Sequence, residues 1–441
     1  MGDEQADQRD RELAGYRAGS PWPGEDGGPT RRQSPRIVGD AGRGWGLAAG
    51  GTLTATSREA PMAGMVVLRD PGEVYAMGCT LGVGSTSWLE RIDPESLEAV
   101  HRSPDLAAGP FWPGGVAAHA NGDLYVTFGR WCHRLDPECQ PVASIELPRP
   151  RPYNSLVILP DGHLVMKDFG GGVGAQALPE GEECELVVLE PEGLEIVHRH
   201  RLGEGSIARL SAHVPLQGTP EVVVVGDRRV VRLSWDGSTL TRLEPAPRYL
   251  TADGQGFGWD AVVASGAAWF LDDGEGTEGF GGCFHGKGVA TAPLRLWRVD
   301  LDDGSLSSVE VCGRPGGIVA NPPLVAEARG VAVAYDSGNG VLGGWGLDEH
   351  GRFAGDDPVW RHDQDQAGHQ VLFADTGELV SFDFDLVRGV DVAVVRDVAT
   401  GDELARVDTG SPLQHVVFPS VGWSGELYTV SFTTITRLSV A

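Results

Sequence analysis

Three histidines stand at comparable places in a recurring pattern: His213, His369 and His415. Each lies about fourteen residues before the end of a short apolar segment. In VVVVGD and ELVSFD (222–227, 378–383) that segment closes on Asp227 and Asp383, and in ELYTVS (426–431) on Ser431. Three further segments behave alike: HLVMKD (163–168) ends on Asp168, AAWFLD (267–272) on Asp272 and VAVAYD (331–336) on Asp336, with Asn154, Asp260 and Asn321 upstream. His, Asn and Asp are poor strand residues, so their recurrence at one position asks for a reason. Neutral imidazoles converging on one point, with carboxylates behind them, make a donor set for a divalent ion. Such an ion polarises a carbonyl or activates water, with Asp168, Asp272, Asp336 or Asp383 as a base. The competing reading is structural: polar residues on inner strands bond neighbouring strands or water, and an Asp at a strand end caps a turn.

Other residues able to do chemistry lie on the connections. The chain has only two lysines, Lys167 and Lys287, and an amine shifts its pKa where a guanidinium does not. Lys167 precedes Asp168, and side chains alternate along a strand, so Lys167 is expected at an interface if Asp168 faces inward. The Gly-rich stretch DGEGTEGFGGCFHGKG (273–288) carries Cys283, His285 and Lys287 and reads as a lid or ligand loop, or as a tolerated insertion. Trp112 in GPFWPGG (109–115) and Tyr153 beside Asn154 are candidate walls for a substrate. No GxSxG elbow, P-loop or HExxH motif is present, and DFGGGVG (168–174) follows a strand with no helix signal after it.

The elements that must position these residues are strands. The 441 residues include 64 Gly and 29 Pro, which favours many tight turns over long helices. From about residue 50 a unit of 40–50 residues recurs, built of strands only, which is the signature of propeller blades. Its clearest copies are hairpins: LERIDPESLEAV (89–100), HRLDPECQPVASI (133–145), LVVLEPEGLEIV (186–197), VVRLSWDGSTLTRL (230–243), LWRVDLDDGSLSSV (296–309), GWGLDEHGRF (344–353) and AVVRDVATGDELARV (393–407). They are expected to be strands three and four of seven blades. An eighth copy (415–440) stops after three strands, so GTLTATS (51–57) is expected to supply the fourth and remove the open edge. The predicted fold is an all-β propeller of eight four-stranded blades, or seven if one irregular unit has been split in two. Residues 37–441 form this single domain, and the polar, Pro- and Gly-rich residues 1–36 read as a mobile tail.

Charge and composition bound the partners. The formal net charge of −27 disfavours nucleic acid and anionic membranes, and suits a cation or a neutral small-molecule substrate. The first residues lack the basic start and apolar run of a secretory signal, and no stretch is long and apolar enough to span a bilayer, so a cytoplasmic protein is expected. The six cysteines include no CxxC pair and read as reduced thiols.

Stretches such as YNSLVILPDGHLVMKDF (153–169) resemble repeats of the broad group that holds SMP-30/gluconolactonase-type hydrolases, strictosidine synthase-like proteins and streptogramin-lyase-type propellers. The shared cue is an Asn or His opening the inner strand, a central Asp-Gly turn and an Asp closing the second strand. The resemblance implies an axial divalent cation in the lactonase- and lyase-like members, for which Asn154, Asp168, Asn321 and Asp336 would be oxygen ligands. Eight blades and three histidines depart from the lactonase pattern. Several inner-strand histidines also resemble the four-His iron site of carotenoid-cleavage oxygenases, with His285 as the candidate fourth ligand. The sequence therefore points first to a metal-dependent hydrolase or lyase with Zn, Fe, Mn, Cu, Ca or Mg, with His213, His369 and His415 as metal ligands. It points second to an Fe or Cu oxygenase or redox enzyme on the same histidines, and third to a non-catalytic propeller that binds a ligand or protein. Trp112, Tyr153, Asn154, Asp260, Asn321, His285 and Lys287 are the candidate substrate contacts.

Overall fold

The computed structural model describes residues 8–80, 84–109, 114–171 and 177–441, apart from the side chains of Asn154 and Glu278. Eight antiparallel sheets form an eight-bladed β-propeller. The innermost strands are Ala63–Leu68, Gly115–Ala118, Tyr153–Ile158, Ser211–His213, Val262–Ala264, Leu324–Ala326, Val371–Phe373 and Ser420–Val421, and we number the blades 1 to 8 in that order. The face on which an inner strand begins is called upper, and the opposite face lower. Blade 8 is completed by Leu53–Glu59, which runs antiparallel to Thr434–Val440 from the pair Leu53 and Val440 to the pair Glu59 and Thr434. The closing strand thus starts two residues later than 51–57, and it removes the last open edge.

Each outer hairpin owes its turn to one carboxylate. Asp93, Asp136, Glu190, Asp236, Asp300, Asp348 and Asp397 each accept two backbone N–H groups from the residues that follow. This Asx-type turn is why the acidic hairpins stood out. In blade 6 the fourth strand differs from expectation: residues 351–353 make only an isolated bridge, and the strand is Trp360–Asp363. The second strands are buried almost throughout, as in LVMKD, AAWFL and VAVAYD, because both faces pack on neighbouring blades.

The N-terminal segment expected to be a mobile tail is instead packed from residue 8 onward. Leu13, Tyr16 and Trp22 are buried, and so are Glu25, Asp26, Arg31 and Gln33. The inner strands of a propeller expose a row of unpaired backbone groups to the central channel, and the segment satisfies them. Backbone N–H groups of Leu68, Ala118, Ala212, Val263 and Leu372 donate to carbonyls of Trp22, Pro23, Pro29, Thr30 and Gln33. The amide of Ile158 donates to the Tyr16 hydroxyl at 3.0 Å, and the Gln33 side chain donates to Pro323 O at 2.6 Å. Blades 1 to 7 are all engaged, so residues 16–33 plug the channel from the lower face. Such bonds need no apolar side chains, which is why a polar sequence could be buried here.

Candidate functional site

The plug brings charge onto the axis. Its turn, Glu25–Gly27, meets Arg31, whose guanidinium contacts both Glu25 and Asp26, the latter at 2.8 Å, and also donates to Ser155 Oγ at 3.0 Å. Arg209 approaches from the other side, 3.3 Å from Glu25 and 4.6 Å from the centre of the Phe418 ring. His369 Nδ1 lies 2.6 Å from Asp26 Oδ1. Burial would raise the Asp26 carboxyl, but His369 and Arg31 together outweigh it and hold the group below its ordinary value.

The histidines expected to ligate one metal occupy two regions. His213 pairs in register with Glu221, the first residue of the second strand, so it lies at the lower end of its inner strand. There its Nε2 is 3.3 Å from the Glu221 carboxylate. The blade 4 hairpin is irregular, so a constant spacing from Asp227 selects the wrong end of the strand; Arg209 occupies the upper end. His369 and His415 do lie near each other. His369 stacks on Phe418 at 4.0 Å and His415 on Phe382 at 3.8 Å. The His415 Nδ1 is 2.7 Å from Thr429 Oγ1, and burial, then His369, push its pKa down to about 3. Among the described residues no three His, Cys, Asp or Glu side chains come together as a metal donor set.

The other inner-strand openers link blades. Asp260 accepts the Arg209 amide at 2.6 Å, joining blades 4 and 5. Asn321 donates to Ala367 O at 2.6 Å and Val416 O at 3.0 Å, joining blade 6 to blades 7 and 8. Tyr153 is buried, with its hydroxyl accepting the Arg149 amide at 3.3 Å. Asn154 belongs to the same strand, with its side chain outside the described residues, as is all of Trp112.

The strand-closing carboxylates act as latches. Asp168 accepts the Glu185 amide and sits 2.7 Å from Arg151. Asp272 accepts the Arg295 amide at 2.7 Å and the Trp297 indole at 3.0 Å. In both, the acceptor fixes the first residue of the third strand. Asp336 accepts from Asn339 N at 3.0 Å and Asn339 Nδ2 at 2.8 Å, and Asp383 from the Asp365 and Phe384 amides. Lys167 is fully buried and donates to Ser206 O at 2.8 Å, across the interface of blades 3 and 4.

The Gly-rich stretch crosses the upper face and is pinned there. Gly286 N bonds Gly338 O, Val289 N bonds Gly317 O, and Gln414 N bonds Gly282 O, so it reaches from blade 5 to the entry of blade 8. Phe284 is buried beneath it. His285 is half exposed, 2.6 Å from Asp365, and Lys287 is exposed with one 3.5 Å contact to Gly279 O.

The residue that spacing missed is Asp273. It has φ of 63°, its Oδ1 accepts Gly256 N at 3.1 Å, and its Oδ2 is buried without a hydrogen-bond partner. Burial and then Asp272, Glu275 and Asp336 push it up to about 9, while Asp272 is raised to about 7, chiefly by burial. A left-handed carboxyl next to a strand-closing Asp gives no periodic signal. The paired acid DD at 272–273 was the only trace of it.

This architecture defines a β-propeller of the eight-bladed class. No family model matches the chain, and no curated protein matches it. Among solved structures it is similar to BamB from Moraxella catarrhalis at 13% identity, with a TM-score of 0.55, covering 88% of this chain and 98% of that one. Streptogramin B lyase aligns at 9% identity and a TM-score of 0.42, over 88% of this chain and 98% of that one. The dihydro-heme d1 dehydrogenase NirN aligns at 14% identity and a TM-score of 0.40, over 84% and 80%. These likenesses are of fold. No described helix is long and apolar enough to cross a membrane.

Proposed function

We propose that the protein is a non-catalytic binding propeller, a rigid ring that presents a ligand- or partner-binding face. The observation that carries this reading is where the polar side chains spend their hydrogen bonds. Asp26, Arg31, Arg209, Asp260, Asn321, Asp168 and Asp272 are engaged in closing the ring and its plug. Fixed groups of this kind make a stable scaffold. The net charge of −27 directs the bulk surface towards neutral or cationic partners. The test is metal content by ICP-MS on tag-free protein after reconstitution with Ca, Mg, Mn, Fe, Cu and Zn, on wild type and on His213→Ala, His369→Ala and His415→Ala. The binding reading expects the same metal content in all four, with stability loss in the variants at 369 and 415. Stoichiometric metal that disappears in folded His369→Ala and His415→Ala variants would overturn it in favour of the metal-dependent hydrolase, lyase or oxygenase.

One observation favours a catalytic second reading. The adjacent carboxyls Asp272 and Asp273 are both buried at the upper end of a strand, and Asp273 Oδ2 has no hydrogen-bond partner among the described residues, a setting that raises a carboxyl and favours its protonated form. In that reading Asp273 holds a proton for a leaving group at the upper mouth. Turnover of a lactone and ester panel, abolished in folded Asp273→Asn, would select it.

A further inference from the structure

A cavity of about 500 Å³ opens on the lower face, between the N-terminal segment and the inner turns of blades 6 and 7. Four arginines line it: Arg9, Arg32 and Arg36 from the segment, and Arg329 from the turn Glu327–Arg329. The acidic liners are Asp10 and Glu327. Arg36 pairs with Asp10 at 2.8 Å and Arg32 with Glu327 at 3.4 Å. Among the described residues, Arg9 and Arg329 have no carboxylate within 4.0 Å. Glu12, buried behind the wall, also lies 4.0 Å from Arg32; four cations against these three anions leave a surplus of one, in a protein whose overall charge is strongly negative. Burial, and then Arg32, bring the Arg9 pKa down to about 10, against the opposing pull of Glu12 and Glu327. Its guanidinium donates to Ser34 O, and that of Arg329 to Asp375 O at 3.3 Å. Each guanidinium carries five N–H donors, so most remain for a ligand. Val325, Ala326 and Leu372 supply apolar walls that lower the local dielectric.

We infer that this cavity binds a small organic dianion, a phosphate monoester or a dicarboxylate, held by Arg9 and Arg329. Guanidinium groups match both oxyanions in bidentate geometry. The volume falls within the range of small-ligand sites, and the concave shape separates it from a surface patch for a polyanion. A ligand here would bridge the plug to blades 6 and 7. The inference stands apart from the choice between scaffold and enzyme, since either can carry such a site.

The test is isothermal titration calorimetry of the full chain with glycerol 3-phosphate, succinate and inorganic phosphate in separate arms. Arg329→Gln and Arg9→Gln/Arg329→Gln are compared with wild type, and the exposed, remote Arg388→Ala serves as control. The expected result is saturable 1:1 binding that weakens with added salt, with affinity lowered at least tenfold in Arg329→Gln and further in the double variant. Arg388→Ala leaves it unchanged. Tighter binding of glycerol 3-phosphate than of succinate assigns a phosphate monoester, and the reverse assigns a dicarboxylate. If the double variant fails to fold, Arg329→Gln alone decides. No binding in any arm, or equal affinity in wild type and folded Arg329→Gln, would overturn the inference.

Discussion

Replacing Arg31 with methionine tests whether the N-terminal segment is an integral plug. Arg31 is 1% exposed and contacts Glu25 and Asp26, which are also buried, and it donates to Leu210 O and Ser155 Oγ. Methionine keeps much of the volume but leaves two carboxylates facing a site with no cation between them. Breaking a buried ion pair from one side costs about 3–5 kcal/mol. Arg209 at Glu25 and His369 at Asp26 recover part of this, so the lower figure is expected. At about 2.1 cal/mol/K per residue, 441 residues give an unfolding entropy near ~0.9 kcal/mol/K, so Tm falls by about 3 °C. Calorimetry on Arg31→Met, read beside the double variant Asp26→Asn/Arg31→Met, measures it. The double variant removes one orphaned charge and recovers at least a third of the loss. A change in Tm below about 1 °C in Arg31→Met, together with rapid tryptic removal of residues 1–36 from native wild type, would refute a packed plug.

Three further outcomes follow from the same contacts. His415 is held neutral with a folded pKa of about 3, against 6.5 unfolded; its stabilising effect is complete above 6.5 and falls as pH drops, by about 1.4 kcal/mol per unit. Urea midpoints measured from pH 7 to 5 should show this slope in wild type and a flatter one in His415→Gln. Asp273 has the opposite sign: its folded pKa is raised, so the unfolded chain releases the proton first and stability declines as pH rises from 3.8 towards 9. Asp273→Asn is therefore expected to stabilise by about 1–3 kcal/mol at pH 8 and by less at pH 5 in the same assay. Asp272→Ala should cost about 1–3 kcal/mol by orphaning the Arg295 amide and the Trp297 indole, read as a lower Tm and faster hydrogen exchange at Arg295.

The blades were legible in the sequence because each hairpin repeats one local device. The carboxylate of Asp93 or Asp236 caps its own turn, and such short-range chemistry survives in a single sequence. The closing strand was legible because an unfinished blade at the C-terminus demands a partner. The plug was not. Its burial rests on backbone bonds to strands up to 339 residues away, such as Gln33 O to Leu372 N, and no periodicity records them. The site reading failed at His213 for a related reason. Counting back from Asp227 assumes equal hairpins, and the blade 4 turn is longer. The Asp pattern itself was real, yet Asp168 and Asp272 use it to seat a third strand, a role that the residue type does not separate from catalysis.

The plug also sets a timetable. Glu25, Asp26 and Arg31 are made long before Leu372, which holds Gln33, and Val440, which meets Leu53. At about 5–20 residues per second the stretch from Gln33 to Leu372 takes roughly 17–68 s, and for most of that time the segment has no channel to occupy. It must stay solvated and available until blades 6 and 7 emerge. The polar composition that makes it read as a tail keeps it soluble through that interval, and the ring closes around it only after its last blades have been made.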